Sequence, residues 1–481
     1  MRGAYQMHIF LYMIIFFEGF IVLATELIAI RQMLPVAGAG TDVIAIVIAA
    51  VLMPLAFGYF VGGQYKVQDT KNLKNEIRKK LSQNFFIAAS FLAFALSQIF
   101  VEFLFELFQL VGIFDRLIQV SLYAIGFLVV PIYLLGKTIP LIVNLFKAET
   151  LPKLTGYILW CSTMGSFLGA ILTSLILMAY WGVNNTTILI VMSLLILSIL
   201  LKPPERIKQG GAVVFVVCLV WVFNGSYMMS FLDVVYDGAY NNVKVYSDKN
   251  TRVLALNNNF SGALDAEGVI PPYMKFIEKS FIEPIRDVNN AKKNILVLGS
   301  GGFTLGISEL HNTYVFVDID KALLPLSEKY ILQQKLDENK KFVALPARRY
   351  LKQAQANKEK FDLIVVDMFK GKSTPEQLVT REFFASLKNI LSDDGRLIMN
   401  TLSCPNYSDS FSVHLDQTIR SVFAGINTHI QTPKAYNAWE RYDRDKKTRY
   451  CDAQVLYIYI NSPLRNNVVY SDNKNQVFAD Y

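Results

Sequence analysis

The stretch "NILVLGSGGFTLGISEL", residues 294–310, runs a short apolar strand into a glycine-rich turn, and "TYVFVDID", residues 313–320, follows as a second apolar strand that ends in acids. A strand, a turn of glycines and a further strand closed by a carboxylate is the opening of a Rossmann-type sheet. Downstream, "KKFVALP", "FDLIVVDMF" and "GRLIMNTL" read as three more strands, with helical stretches at 303–310, 321–332, 347–358 and 376–391 between them. Strands alternating with helices give a parallel sheet covered on both faces. "INTHIQT" and "AQVLYIYINS" read as two last strands forming an antiparallel edge hairpin. Upstream, "NNVKVYS" and "TRVLALN" alternate as short strands joined by polar turns, and "PPYMKFIEKSFIEPI" is an amphipathic helix.

Ligands in such sheets bind at the carboxyl ends of the strands, beside the glycine-rich turn. Gly299, Gly301 and Gly302 allow close backbone approach there. Asp318 closes the second strand, where an acid accepts hydrogen bonds from ribose hydroxyls. Asp367 closes the fourth, where a carboxylate can act as a base. No zinc spacing is present, so no metal site is expected.

Residues 1–231 are a different material. The chain as a whole is 53% hydrophobic and 18% charged, and the bias is concentrated in this half. Seven segments are long enough to span a bilayer, at 8–33, 43–65, 84–110, 117–146, 154–181, 185–201 and 212–230. The first reads as an uncleaved signal-anchor. The net charge of +8 points to membrane orientation and away from nucleic acid, because many of the bases flank hydrophobic segments. The loops after the second, fourth and sixth segments hold eleven Lys or Arg, whereas the other three hold only Arg116. Positive loops stay cytoplasmic. The expectation is an inner-membrane, multi-pass protein with a cytoplasmic N-terminus and residues 232–481 outside, in the periplasm. A re-entrant segment would invert that placement. Glu18, Glu26, Glu102, Glu106 and Lys137 fall inside the segments. Glu18, Glu26 and Lys137 are candidates for a polar intramembrane site, or for pairing that fixes helix packing.

The soluble half resembles the spermidine synthase family of aminopropyltransferases, through its short β-strands, glycine turn, "VDID", "FDLIVVDMF" and "TREFFASLKNILSDDGRLIMN" over about residues 235–465. The membrane half resembles the multi-pass region fused to such domains, through "ATELIAIRQMLP" and "STMGSFLGA". The implied architecture is an all-α transmembrane bundle of about seven helices (1–231), a small β-sheet and helix (232–290), an α/β class I methyltransferase-like Rossmann domain (291–465) and a tail (466–481). The implied activity is aminopropyl transfer from decarboxylated S-adenosylmethionine to a polyamine, with Asp367 as base, Asp318 on the ribose and Asn241 at a cofactor-binding position where the family has Gln.

Several positions depart from the family pattern. The family turn is G-G-G-D-G-G, and Gly302 stands at its Asp. Pro346 stands where the family has the acid that meets the adenine amino group, and Lys370 replaces the second acid of D-x-x-D. Ser261 stands where the family has Gln. A polycation wants carboxylates. The departures set a second reading beside the first, a non-catalytic extracytoplasmic domain that binds no cofactor and acts in envelope assembly or partner binding. A third reading is a transporter with a regulatory soluble domain. The bilayer is the expected partner, with a membrane protein or a second copy beside it. Methyltransferase-like sheets put the last strand antiparallel to the fifth, which brings Cys404 and Cys451 together as a disulfide candidate. Such a bridge implies an oxidising compartment.

Overall fold

The computed structural model describes residues 2–38, 40–65, 73–146, 151–201, 210–247, 251–265, 268–269, 272–286, 291–368, 375–407, 409–431 and 454–461. The chain divides into two compact units. The first is Met1–Lys244 with Leu256–Asn259, and the second is Val245–Ala255 with Phe260–Tyr481.

The first unit is helical: α1 (Arg2–Ala37), α2 (Thr41–Gly63), α3 (Leu73–Ala95), α4 (Gln98–Leu110), α5 (Arg116–Tyr123), α6 (Val129–Gly136), α7 (Thr138–Val143), α8 (Leu151–Leu172), α9 (Val183–Leu200), α10 (Gly210–Asn224) and α11 (Ser226–Phe231). Among the described residues six helical stretches are long and apolar enough to cross a membrane, and α3 with α4 makes a seventh only if the pair is one span. The expected third segment, 84–110, is broken: the two helices meet at 67°. Leu96 and Ser97 leave the helix, Ser97 is extended (φ −84°, ψ 128°), and its hydroxyl donates to the Phe223 carbonyl at 3.2 Å. Hydropathy runs unbroken through this elbow, which is why the sequence reads as one segment.

Small residues set the helix spacing. A Cβ on Gly165 or Gly169 of α8 would lie 2.0 and 2.5 Å from the carbonyls of Phe16 and Phe20 in α1, so the two backbones touch as small-xxx-small packing allows. Charges at one end of the bundle are satisfied by the chain that follows it. Arg31 of α1 donates to the Asp237 carboxylate at 3.1 Å and to the Gly238 carbonyl at 2.9 Å. Asn242 donates to Asp237 and to Gln98, and Gln98 donates to Glu102. Glu102 also receives both Lys244, at 3.1 Å, and Asn258, at 3.0 Å.

Five short strands follow the helices: β1 (Val234–Asp237), β2 (Asn242–Ser247), β3 (Arg252–Leu256), β4 (Asn259–Asp265) and β5 (Gly268–Val269), paired in sequence order. After α12 (Pro272–Ile277) come β6 (Asn294–Leu298), β7 (Thr313–Asp318), α13 (Leu323–Ser327), β8 (Lys340–Ala344), α14 (Ala347–Ala356), β9 (Phe361–Val366), α15 (Arg381–Ile390), β10 (Leu391–Leu402), α16 (Ser410–Arg420), β11 (Asn427–Gln431) and β12 (Gln454–Ile460). Their seven strands lie in the order β11-β12-β10-β9-β6-β7-β8. The four pairings from β10 to β8 are parallel where the apolar runs predict them, and β12 pairs antiparallel with both β10 and β11. This is the Rossmann-type, methyltransferase-like sheet expected from the sequence.

One expected helix is absent. Residues 303–310 form turns, not a helix. Phe303 takes φ +56° and Gly306 φ +68°, neither compatible with a continuing right-handed helix. The Phe303 ring is fully buried, 5.3 Å from Phe316 and 5.2 Å from Phe342, and so fills the sheet face itself.

Removing Arg31 strands a buried carboxylate. Arg31→Met is expected to destabilise the protein by about 3–5 kcal/mol, read as a lowered thermal midpoint in detergent. Arg31→Met with Asp237→Leu should recover much of the loss, because no charge is then left unpaired.

Candidate active site

The site is built where four chain segments meet at the carboxyl ends of β6, β7, β9 and β10. Gly299 ends β6 at φ +91°, and a Cβ there would lie 2.0 Å from the Asp367 carbonyl oxygen. Its N–H bonds the Val317 carbonyl at 2.9 Å, while the Asp367 N–H bonds Leu298 at 2.8 Å. Gly301, at φ +49°, would place a Cβ 2.3 Å from the Ser261 carbonyl. Only glycine fits at either position. Gly302 differs: its φ is ordinary, and a Cβ would meet Thr304 Cγ2 at 3.3 Å and Gly262 Cα at 3.4 Å. A Cβ there needs small adjustments only, so the backbone does not by itself demand glycine at this position.

Asp318 stands at the end of β7. The Ser300 N–H donates to its Oδ2 at 3.2 Å and the Asp320 N–H to its Oδ1 at 3.0 Å. Burial pushes its carboxyl up, and those backbone donors pull it back. Ser300 sits between the two glycines, and its buried Oγ has no hydrogen-bond partner among the described residues.

Asp367 is held from both sides. Tyr273 of α12 donates its hydroxyl to Oδ2 at 2.7 Å, and Asn400 of β10 donates Nδ2 to Oδ1 at 2.9 Å. Burial pushes the carboxyl up, and the two donors pull it down. The Tyr273 hydroxyl is pushed well above its ordinary range, by burial first and then by the Asp367 charge. A carboxylate only accepts, so the Asn400 amide must turn its nitrogen toward Asp367. Its oxygen is buried and has no partner among the described residues. Asp367, Asn400 Oδ1 and Ser300 Oγ thus supply a base and two unused polar atoms. Those donors and acceptors suit a polar ligand with hydroxyl and amine groups. With no helix starting at 303, the turn offers no helix dipole for an anion. A cationic, phosphate-free S-adenosyl ligand does not need one.

Tyr273 and Asn400 were not legible as site residues, because nothing in "PPYMKF" or "LIMNTL" marks them without the sheet that brings them to Asp367. Asn241 belongs to the first unit, where it accepts from Asn257 Nδ2 at 2.9 Å. Pro346 caps α14 and brings no side-chain acceptor. Lys370 and Cys451 lie outside the described residues. Cys404 is buried, and among the described cysteines Cys161 and Cys218 are free thiols. Glu18 is buried with neither carboxyl oxygen hydrogen-bonded among the described residues. Glu26 is part-buried, and Lys137 Nζ lies 4.0 Å from the centre of the Tyr133 ring. None of these three pairs with another among the described residues. No group of His, Cys, Asp and Glu suited to a metal occurs among the described residues.

Residues 277–453 match the family model described as "Spermine/spermidine synthase domain". The polyamine aminopropyltransferase of Vibrio vulnificus is 34% identical over 139 residues, 28% of this chain and 45% of that protein. That of Pyrobaculum calidifontis is 29% identical over 175 residues, 34% of this chain and 58% of that protein. The chain spans about half the length of the curated relatives it matches. A probable spermidine synthase from Corynebacterium glutamicum aligns in structure with a TM-score of 0.38 and 18% identity, over 51% of this chain and 84% of that one. Over residues 277–453 the chain is thus similar to the spermidine synthase family.

Tyr273→Phe removes one donor that favours the Asp367 carboxylate, so the carboxyl should hold its proton to higher pH. Infrared titration of the carboxyl band absent from Asp367→Asn should show the midpoint move upward, and Asn400→Leu should move it the same way. A midpoint unmoved by both would show that neither donor supports the charge.

Proposed function

We propose that this chain is a membrane-anchored aminopropyltransferase. Its soluble domain holds decarboxylated S-adenosylmethionine at the carboxyl ends of β6 and β7, and Asp367 serves as the base toward an acceptor amine. The observation that carries the reading is the Asp367 carboxylate fixed between Tyr273 and Asn400, beside two buried polar atoms without partners among the described residues. When bound, the donor supplies a sulfonium leaving group. The chain's own part is to hold and to deprotonate. Gly299 and Gly301 let the backbone approach, Asp318 faces the ribose hydroxyls, and Asn400 Oδ1 accepts one amine N–H. As the amine nitrogen bonds the carbon beside sulfur, the carbon–sulfur bond breaks with its electron pair on sulfur, and Asp367 takes the amine proton.

A second reading has its own support. Gly302 leaves the turn without a carboxylate for the donor's ammonium, although a Cβ there would ask only a few tenths of an ångström of Thr304. The loop charges favour residues 232–481 lying outside the cytoplasm, in the periplasm of an inner-membrane protein, where no S-adenosyl donor is expected. The contacts of Arg31, Gln98 and Glu102 with Asp237, Asn242 and Lys244 are consistent with an exit at the end of the bundle opposite the Lys-rich loops. A Cys404–Cys451 bridge would belong to the same compartment. In this reading the domain is a non-catalytic partner-binding module.

Titration calorimetry of the full chain in nanodiscs tests the pocket. Micromolar binding of methylthioadenosine, lost in Asp318→Ala and kept in Asp367→Asn, supports the transferase reading, and turnover should then vanish in Asp367→Asn. Gly302→Asp should raise turnover or confer it. Absence of nucleoside binding in the native chain would sink this reading in favour of the second.

Topology is tested separately. C-terminal fusions to alkaline phosphatase and to green fluorescent protein are expected to give active phosphatase and dark fluorophore. Non-reducing electrophoresis should show Cys404 and Cys451 protected from thiol labelling. Fluorescence with inactive phosphatase would return the domain to the cytoplasm.

A further inference from the structure

Helix α4 carries three distinct sides in 13 residues. Val101, Leu104 and Phe105 are buried in the bundle. Gln98, Glu102, Glu106 and Gln109 follow one another at helical spacing and form a polar stripe. Phe103, Leu107 and Leu110 form the third side, 60%, 40% and 83% exposed. A helix that continued across hydrocarbon would expose Glu106 and Gln109 to it, where charged and polar groups are costly. At 1.5 Å per residue α4 is about 20 Å long, short of the roughly 30 Å of a bilayer core. Helix α3, with 23 residues, is about 35 Å long by the same rise, its charged first turns at 73–80 leading into the apolar stretch 81–95.

Two ion pairs fix where α4 lies. Arg116, at the start of α5, pairs with Asp42, at the start of α2. Those two helix starts therefore sit at the same end of the bundle. Between them the chain crosses once in α2 and returns in α3, so α4 adds no crossing. Glu102 pairs with Lys244 of β2 on the polar stripe. Exposed aromatic residues cluster at the same end. Tyr180 and Trp181 precede Gly182, where a Cβ would lie 2.7 Å from the Asp237 carbonyl, and Tyr227 and Phe231 belong to α11. Aromatic residues of this kind mark the membrane–water boundary.

We infer that α4 is an interfacial helix lying along the bilayer surface, with Phe103, Leu107 and Leu110 seated in the outermost acyl region and the Gln98–Gln109 stripe facing water and β2. The occupant of the exposed apolar side is lipid. The pattern is that of amphipathic helices that lie in the interface plane, and here the helix is stapled at an elbow to a spanning one.

Spin labels at residues 103, 106, 107, 109 and 110, one at a time, in a chain carrying Cys161→Ala and Cys218→Ala, test this in nanodiscs of phosphatidylethanolamine and phosphatidylglycerol. Power saturation with oxygen and with a nickel chelate reads the environment. Labels at 103, 107 and 110 should favour oxygen at shallow depth, and labels at 106 and 109 should favour nickel, with the thermal midpoint unchanged. All five at mid-bilayer depth would make α4 half of a span. Labels at 107 and 110 open to nickel would place that side in water. Protection from both reagents would mean a second copy covers it. Any of these three outcomes overturns the inference.

Discussion

A carboxylate taken out of water must be met by donors, and the arrangement of this protein follows where that demand is satisfied and where it is not. Asp237 and Glu102 are met by Arg31, Asn242, Gln98, Lys244 and Asn258, in one continuous chain of hydrogen bonds. The pairs are costly to bury and their net worth is modest, but they allow one register only. Sliding β2 by one residue along the bundle end would take Lys244 off Glu102 and turn Asn242 away from Gln98. The network therefore specifies how the first strands begin, more than it stabilises them. Asp367 is the same case in the soluble domain, with a tyrosine and an amide as its donors. Uncharged donors leave it basic, which a partner cation would not. Glu18 is the exception, buried without a donor among the described residues.

The glycine turn answers a different constraint, that two backbones cross in van der Waals contact. Gly299 against the Asp367 carbonyl and Gly301 against Ser261 hold β4, β6 and β9 together at the point where a ligand would lie. These glycines serve the fold whether or not a ligand binds, so their presence says nothing of activity. Gly302, where a Cβ needs only a small shift of Thr304, is the informative one. Its lack of an acid changes the chemistry and spares the geometry. The loss of the helix after the turn belongs with it. Phe303 replaces the helix as the cover of the sheet face, and the crossover to β7 becomes a compact set of turns.

Much of the soluble fold was legible because burial on both faces writes parallel strands as apolar runs. The edge hairpin was legible as two more strand-like runs, of which β12 is apolar and buried from Val455 to Tyr459. The missing helix was not, because "GFTLGISEL" has a helical apolar spacing and only the left-handed backbone at Phe303 and Gly306 rules it out. Asp318 and Asp367 were legible by their place at strand ends. Tyr273 and Asn400 were not, since α12 and β10 reach Asp367 only through tertiary packing.

The helical half shows the limit of hydropathy more sharply. An average over a span-length window records how apolar a segment is and loses both its direction and its sides. "FLAFALSQIFVEFLFELFQL" averages to one span, yet it contains Ser97-Gln98 at its centre and polar residues at 98, 102, 106 and 109. Four polar side chains at that spacing need one wet side along the whole helix. A helix whose axis follows the bilayer normal has no such side unless a channel runs beside it, whereas one in the membrane plane has it by position. The elbow at Ser97 is thus what the polar stripe requires, and the phase of the polar residues, rather than their number, was the signal.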